Sequence, residues 1–289
     1  MGQSDNPRAR VGSHTMSIII ATYNSKSTVQ RCIDSVVQQT YPYKELIIVD
    51  GGSEDGTVDL LEVNQHKFTY WVSEPDRGIY HAWNKALSWA RGEWICFLGA
   101  DDFYWDETVL ARIGEQLMLL PPTIRIAYGQ NMLINGKGES LYLMGEPWER
   151  LKRRFLAGMC LPHPGMMHRR GLFEEHGMFN ESFRIAGDYE MLLRELKHAD
   201  ALFIPNLIVA GVQQGGVSSN PKSALLVLSE SRRAQQLHGQ KLPPLLWVWS
   251  AIKVSLRILL WRLCGERLAR SALDLGRQVL DQPRHWTKT

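Results

Sequence analysis

Three groups of side chains in this sequence could do chemistry. The first is the adjacent pair Asp101-Asp102, which ends the apolar run Trp94–Leu98. Two neighbouring carboxylates repel each other and are costly to desolvate unless a cation or a protein charge neutralises them. Oxygen ligands of this kind suit a hard divalent ion shared with substrate phosphates. Asp is also favoured at helix N-termini, and the helical pattern starting near Asp106-Glu107 leaves that role open for one of the two. The second group is the set of polar segments Thr22-Tyr23-Asn24, Asp50-Gly51-Gly52-Ser53 and Glu74-Pro75-Asp76-Arg77. Asp50 can accept hydrogen bonds from a base or ribose, Asn24, Ser53 and Asp55 add polar contacts, and the glycines allow close backbone approach. The third is Asp188 in Ala186-Gly187-Asp188-Tyr189-Glu190, at a helix start after a glycine. From these residues alone a helix cap is the simpler role for Asp188. His163, between Pro162 and Pro164, is compatible with a structural ring or with the wall of an acceptor pocket.

The elements that must position these groups follow from hydrophobic periodicity. Ser17–Thr22 and Leu46–Val49 are short β-branched or aliphatic runs, and Phe68–Val72 and Trp94–Leu98 continue the series. Between them lie helical patterns: Val29, Cys32, Ile33, Val36 and Val37 at i, i+3, i+4 spacing, then Thr57–Asn64 and Ile79–Ala90. Apolar strands alternating with such helices predict βαβ units and an α/β fold on a mostly parallel sheet. In a parallel sheet the strand ends open into one crevice, so all four polar segments would meet there. Gly51-Gly52 lacks the GxGxxG fingerprint and no Walker A sequence is present, which disfavours a dinucleotide fold and a P-loop NTPase. Beyond the acidic pair the rhythm changes. Asp106–Leu120 is helical, Ile124–Tyr128 is a strand, and Asn135-Gly136-Lys137-Gly138 is a hairpin turn. Residues 147–187 mix short elements, including a strand ending in His168-Arg169-Arg170. Tyr189–His198 is a helix and Ala201–Val209 a strand.

The ordered set of segments resembles family 2 inverting glycosyltransferases. It comprises Ile20-Ala21-Thr22-Tyr23-Asn24, Val49-Asp50-Gly51-Gly52-Ser53-Glu54-Asp55-Gly56-Thr57, Glu74–Tyr80 with Ala82–Ala86, and Leu98–Asp102. The branch most similar builds bacterial exopolysaccharide, capsule or O-antigen, as in colanic acid assembly. The resemblance spans Ser17 to Ser219. It implies the GT-A fold, a nucleotide-sugar-binding half (16–104) and an acceptor half (105–220). It also implies roles: Thr22, Tyr23, Asn24, Asp50 and Ser53 on the nucleotide, Asp76 and Arg77 closing over base and phosphate, and Asp101 on the donor sugar or ribose. Asp102 would coordinate Mg2+ or Mn2+ bridging the diphosphate, and Asp188 would be the general base. Three departures stand out: His81 where the family usually has Asp, Ala100 where a polar residue is common, and Gly187 where a first acid often precedes the base. Gly215-Gly216-Val217-Ser218-Ser219 is similar to a segment that closes over the diphosphate, and is equally an ordinary linker.

The expected activity is therefore metal-dependent, inverting hexosyl or N-acetylhexosaminyl transfer from a nucleotide-diphosphate sugar, a UDP-sugar in the first instance, to a saccharide acceptor that is free or lipid-linked. One alternative keeps the fold and takes polyprenyl phosphate as acceptor; the polar 147–187 segment argues against it. Another is a nucleotide-sugar-binding scaffold without turnover, against which the acid set Asp50, Asp101, Asp102 and Asp188 counts.

Composition agrees with a globular enzyme: 289 residues, 44% hydrophobic, 22% charged. A net charge of +3 gives no argument for nucleic acid. From Lys241 onward nine Lys/Arg face three Asp/Glu, so the tail carries +6 and the rest −3. Cys32, Cys96, Cys160 and Cys264 form no CxxC pair and read as reduced thiols of a cytoplasmic protein. The leader 1–15 is polar, without the apolar core of a secretory signal, and reads as lacking fixed structure. The C-terminal region 221–289 reads as helical, with Leu and Trp interrupted by Lys253, Arg257 and Arg262. Those charges disfavour a spanning helix. They leave two readings: an amphipathic helix at the cytoplasmic face of the inner membrane, or a helix packed on the catalytic domain or in a homodimer.

Overall fold

A computed structural model of the chain describes residues 15–216, 223–279, 283–284 and 286–287. Residues 1–14 of the expected leader 1–15 and the segment 217–222 lie outside the described residues, while Thr15 O accepts from Trp94 N at 3.1 Å. The first half alternates strand and helix as the periodicity predicts: β1 (Met16–Thr22), α1 (Val29–Val37), β2 (Lys44–Asp50), α2 (Thr57–Asn64), β3 (Tyr70–Ser73), α3 (Ile79–Leu87) and β4 (Trp94–Gly99). The second half runs β5 (Phe103–Tyr104), α4 (Val109–Leu117), β6 (Ile126–Ile134), β7 (Ser140–Met144), α5 (Trp148–Phe155), β8 (Met167–Arg169), α6 (Arg170–His176), α7 (Gly187–Leu196), β9 (Leu202–Gln213), α8 (Ala224–Leu237) and α9 (Leu245–Val279).

Among the described residues one nine-stranded sheet has the order β3-β2-β1-β4-β8-β6-β9-β5, with β7 also paired to β6. β3, β2, β1 and β4 are parallel, and their register sets Thr22 opposite Asp50, Asp50 opposite Ser73, and Ala21 opposite Gly99. The four polar segments therefore emerge side by side. β1 and β4 are buried almost throughout because helices cover both faces. Ile19, Ile47, Val49, Ile95 and Phe97 pack with α3 and α7 on one face. Ile18, Ile20, Ile48, Cys96 and Leu98 pack with α1 and α4 on the other. Cys32 and Cys96 are buried free thiols.

Beyond β4 the sheet is mixed, because β8 returns antiparallel to both β4 and β6. β5, which the sequence does not announce, pairs antiparallel with β9. Its presence moves the start of the next helix: α4 begins at Val109 rather than Asp106, whose Oδ1 instead accepts from Thr108 N at 2.8 Å in the preceding turn. Asp101 and Asp102 thus stand on the tight turn between β4 and β5, with Asp102 N donating to Gly99 O at 3.0 Å, and neither caps a helix.

The tail is helical, as expected, in two unlike parts. α8 packs on α7 and contributes Ala234 to the main core. α9 is broken at Gly265 (φ 72°, ψ 170°) and leaves most of its apolar side chains exposed. No helix among the described residues is long and apolar enough to cross a membrane.

Candidate active site

The ends of β1 and β2 are stitched into one surface. Asn24, held at positive φ (48°), donates its backbone N–H to Ser53 Oγ at 2.7 Å, and its Oδ1 accepts from Glu54 N at 3.0 Å. Asp55 Oδ2 accepts from Lys26 N at 3.0 Å. Asp50 is fully buried. Its Oδ2 accepts from Gly52 N (3.0 Å), Ser53 N (2.8 Å) and Ser73 Oγ (2.6 Å), and its Oδ1 from Ser53 Oγ (2.5 Å). The sequence offers this carboxylate to a base or ribose; in the structure it holds the shape of the loop that would meet one. Thr22 is also buried, and its hydroxyl has no partner.

Tyr23 is 64% exposed. A Cβ placed on Gly51 would come within 2.7 Å of Asp76 Oδ2 and 3.3 Å of the Tyr23 ring, so carboxylate and ring meet over a position that only glycine fits. An aromatic face beside a carboxylate acceptor suits a planar base that stacks and donates. Asp76 Oδ1 is anchored by Gly78 N at 2.8 Å. Arg77 is bonded to Glu181 at 2.6 Å and so links this loop to the segment before α7. Asn84 donates to the same carboxylate at 3.0 Å. His81, where the family usually has an acid, accepts from Arg77 N through Nδ1 at 3.3 Å.

The acidic pair has a different character. A Cβ on Gly99 would lie 2.7 Å from Asp102 Oδ2 and 2.9 Å from Asp101 Oδ1, so the two carboxylates converge over a bare backbone position. Asp102 is 5% exposed and accepts from Gln213 N at 3.2 Å. Burial, followed by the charge of Asp101, pushes its carboxyl up to about 7. Arg31 lies close, donating to Asp101 O at 2.8 Å and stacking on Phe103, and relieves only part of that repulsion. Convergent, under-compensated carboxylate oxygens fit a hard divalent cation. Among the described residues no group of three or more His, Cys, Asp or Glu could hold a metal by itself, so the rest of the coordination shell would come from substrate and water. The Gln213 contact also brings the end of β9, and the Gly215-Gly216 segment after it, to the acidic pair.

Asp188 lies in the first turn of α7, half-buried. Its Oδ1 accepts from Tyr189 N at 2.8 Å and lies 3.3 Å from the Tyr80 hydroxyl. Burial pushes its carboxyl up to about 6, against the pull of these two donors. Tyr80 also accepts from Gly187 N at 2.8 Å and reaches Ile185 O at 2.5 Å. A Cβ on Gly187 would strike the Tyr80 ring at 2.7 Å, which explains why no second acid stands before Asp188. Glu190 turns away as expected, bonded to Arg194 (2.5 Å) and His238 (2.8 Å).

His163 is 8% exposed and stacked on Trp83 at 5.3 Å. Burial lowers its ring to about 4, and its Nε2 has no partner. Its ring packs in an aromatic cluster with Phe97 and His168. Arg169 and Arg170 pair with Glu93 and Gly92 O at the opposite end of the sheet. Sequence reasoning assigns no role to Tyr80, Arg31, Glu181 or Glu230. Tyr80 stands inside a quoted motif; Glu230 has one signal, a charged residue beside the inward stripe Ser231, Ala234, Gln235 of α8.

A mostly parallel sheet with acids converging at its strand ends defines a GT-A-type transferase. Residues 17–175 match the model of glycosyl transferase family 2, and the chain belongs to that family. A PGL/p-HBAD biosynthesis glycosyltransferase of Mycobacterium bovis is 31% identical over 181 residues, 62% of this chain and 68% of the relative. S. aureus TarS 1-349 in complex with UDP-GlcNAc aligns with TM-score 0.58 and 20% identity, covering 76% of this chain and 66% of that one. The chain spans 39% of the longer TarS chain. The mannosyltransferase PcManGT from Pyrobaculum calidifontis, in complex with GDP-Man and Mn2+, aligns with TM-score 0.60 and 19% identity, covering 93% and 81%. These solved structures share the fold.

Proposed function

We propose that the chain is a metal-dependent, inverting hexosyl- or N-acetylhexosaminyltransferase. It would use a nucleotide-diphosphate sugar and a saccharide acceptor, free or lipid-linked, in bacterial surface polysaccharide synthesis at the cytoplasmic face of the inner membrane. The observation that carries this is the convergence of Asp101 and Asp102 over Gly99 at the end of four parallel strands. UDP-GlcNAc and GDP-Man, held by the two solved neighbours, support a nucleotide-sugar donor. A UDP-sugar is the first choice.

In this reading Tyr23 and Asp76 receive the base, Thr22 offers its unpartnered hydroxyl, and Asn24, Asp50 and Ser53 keep the loop in shape. Arg77 would exchange Glu181 for the diphosphate on closure. Asp102, with Asp101 beside it, would hold Mg2+ or Mn2+, which supplies positive charge to the departing diphosphate. Asp188 takes the proton of the acceptor hydroxyl as its oxygen bonds to the anomeric carbon. The bond from that carbon to the diphosphate oxygen breaks on the opposite face, and the electron pair leaves with the nucleotide. A carboxylate raised to about 6 is a stronger base than a free one and is still ionised at neutral pH.

The tail supports a peripheral membrane role. Leu245, Trp249, Ile252, Leu256, Leu259 and Leu263 are exposed at alternating four- and three-residue spacing on one face of α9. Exposed Lys253 and Arg262 flank that face, and residues 245–264 contain no acid. Two copies pairing here would set cation against cation, whereas an anionic bilayer complements both the stripe and its flanks. Co-sedimentation with phosphatidylglycerol vesicles and not with phosphatidylcholine vesicles is the expected result; a dimer in solution without vesicle binding would favour the packed alternative.

A nucleotide-release screen tests the function. UDP-, GDP- and TDP-sugars are offered with Mn2+ and then with EDTA. Release from one donor, abolished by EDTA and by Asp102→Ala, is expected. Binding of a donor without release would favour the scaffold alternative, and absence of binding to any donor, with or without metal, would overturn both readings.

A further inference from the structure

Glu230 lies behind the candidate base and belongs to α8, outside every motif that the family resemblance covers. It is 7% exposed, and its carboxylate accepts the backbone N–H groups of Arg184 (2.8 Å), Ile185 (2.8 Å) and Ala186 (2.9 Å). These are the three residues before α7, whose first turn carries Asp188. The residue at the N-cap, Ala186, has no side chain able to bond the helix's first N–H groups, and Glu230, from another element, instead holds the backbone N–H groups of that residue and of the two before it. Charge-assisted bonds of this kind are the stronger sort and carry direction.

The same turn is gripped from its other side by α3, where Tyr80 contacts Ile185 O, Gly187 N and Asp188 Oδ1. α8 is fastened at two further points. Arg233 stacks on Phe183 at 3.8 Å and donates to Ser182 O at 2.9 Å, and His238 bonds Glu190 on α7 at 2.8 Å. The turn that aims Asp188 is therefore clamped between two helices. We propose that Glu230 is a positioning residue for Asp188, and that α8 is consequently part of the catalytic unit rather than of a detachable tail. This rests on Asp188 being the base.

Glu230 is also a second negative charge near Asp188. The ionisable groups around Asp188 are Tyr80 from α3 and Glu230 from α8, while Glu190 on α7 is engaged by Arg194 and His238. Removing the charge at 230 relieves one cause of the raised Asp188 carboxyl.

The test uses the full-length protein with the donor that supports release, and compares Glu230→Gln, Glu230→Asp and Asp188→Asn. Glu230→Gln keeps size, loses charge and sets an amide N–H2 against backbone donors. Its kcat is expected to fall roughly 10- to 100-fold, as for a displaced catalytic group. UDP affinity in Mn2+, read by calorimetry, should be unchanged, and the acid limb of the kcat/KM profile should move to lower pH. Glu230→Asp keeps the charge with a shorter reach, so kcat should fall less and the limb should stay. Wild-type kcat and an unmoved limb in Glu230→Gln, with Asp188→Asn inactive, would overturn the positioning role and leave the base intact. Full turnover in Asp188→Asn would overturn the base itself and this inference with it. If Glu230→Gln does not fold, wild-type kcat in Glu230→Asp is the overturning result.

Discussion

Asp50 and Asp102 come at or just after the ends of two strands in the parallel part of one sheet, and the two ends are built in opposite ways. At β2 the carboxylate is saturated: four donors from its own loop and from Ser73 surround it. At β4 the carboxylate of Asp102 accepts from Gln213 N, has a second acid beside it and is pushed up to about 7. A buried charge that is fully hydrogen-bonded is an architectural part, since its energetic cost has been met inside the protein. A buried charge that is only partly met stores a demand that a ligand can satisfy. In the proposed reading Asp50 shapes the crevice and Asp102 is the acid that a ligand would satisfy.

That contrast can be broken most decisively at the second acid. Asp102→Ala should reduce metal-dependent nucleotide release by on the order of 10^3-fold, since the cation contributes several kcal/mol of charge stabilisation. A variant that keeps its rate would end the contrast. Asp188→Asn should lower kcat by about 10^2- to 10^4-fold with donor affinity unchanged. In the unaltered protein kcat/KM should fall as pH drops below about 6, as Asp188 is protonated. A profile flat to pH 5 would count against it.

Asp50→Asn probes the other strand end. Loss of the charge and of acceptor capacity facing four donors should destabilise the fold by about 1–3 kcal/mol, read from urea unfolding. Turnover at saturating donor should stay far closer to wild type than in Asp102→Ala. Stability at β4 should move the other way. Asp102 is raised from 3.8 to about 7, so its contribution is fully favourable below pH 3.8 and is lost as pH rises through 7. Asp102→Asn should therefore raise Tm above pH 7, by about 2–4 °C for each kcal/mol relieved. The gain should vanish near pH 4, and Mn2+ should stabilise only the protein that keeps Asp102.

The smallest effect is expected at His163. Its ring is depressed from 6.5 to about 4, so its contribution to stability is present above 6.5 and is lost as pH falls through 4. His163→Phe should flatten acid unfolding in that window and leave the pH limb of catalysis where it is. A shifted limb would bring His163 back to the acceptor side.

Much of the first half was legible because strand and helix periods are local. Helices α1 and α2 occupy the very spans that the pattern marks, and β1, β2 and β4 differ from the expected runs by a residue or two at either end. The second half was less so. β5 is two residues long and exists only through its pairing with β9, so no run of residues announces it. Without it the acidic pair could be taken for a helix cap. His163 looked available because prolines flank it, yet Trp83 and Phe97, far away in sequence, enclose it.

The order of strands and helices in the first half, the residues at those strand ends and the family follow from the sequence alone, because each rests on spacing within a few residues or on an ordered set of short motifs. Which acid is free and which is spent followed only from the tertiary structure. Asp50 and Asp102 are alike in type and in position after a strand. Their difference lies in the donors that the fold sets around them, at Ser73 and Gln213, and in the convergence of Asp101 over Gly99. Glu230 is the extreme case. Its sequence position lies 42 residues beyond Asp188, and only the packing of α8 on α7 turns its carboxylate onto the turn that aims the base. Hydrogen bonding and desolvation act over a few ångströms of space, whatever the distance along the chain.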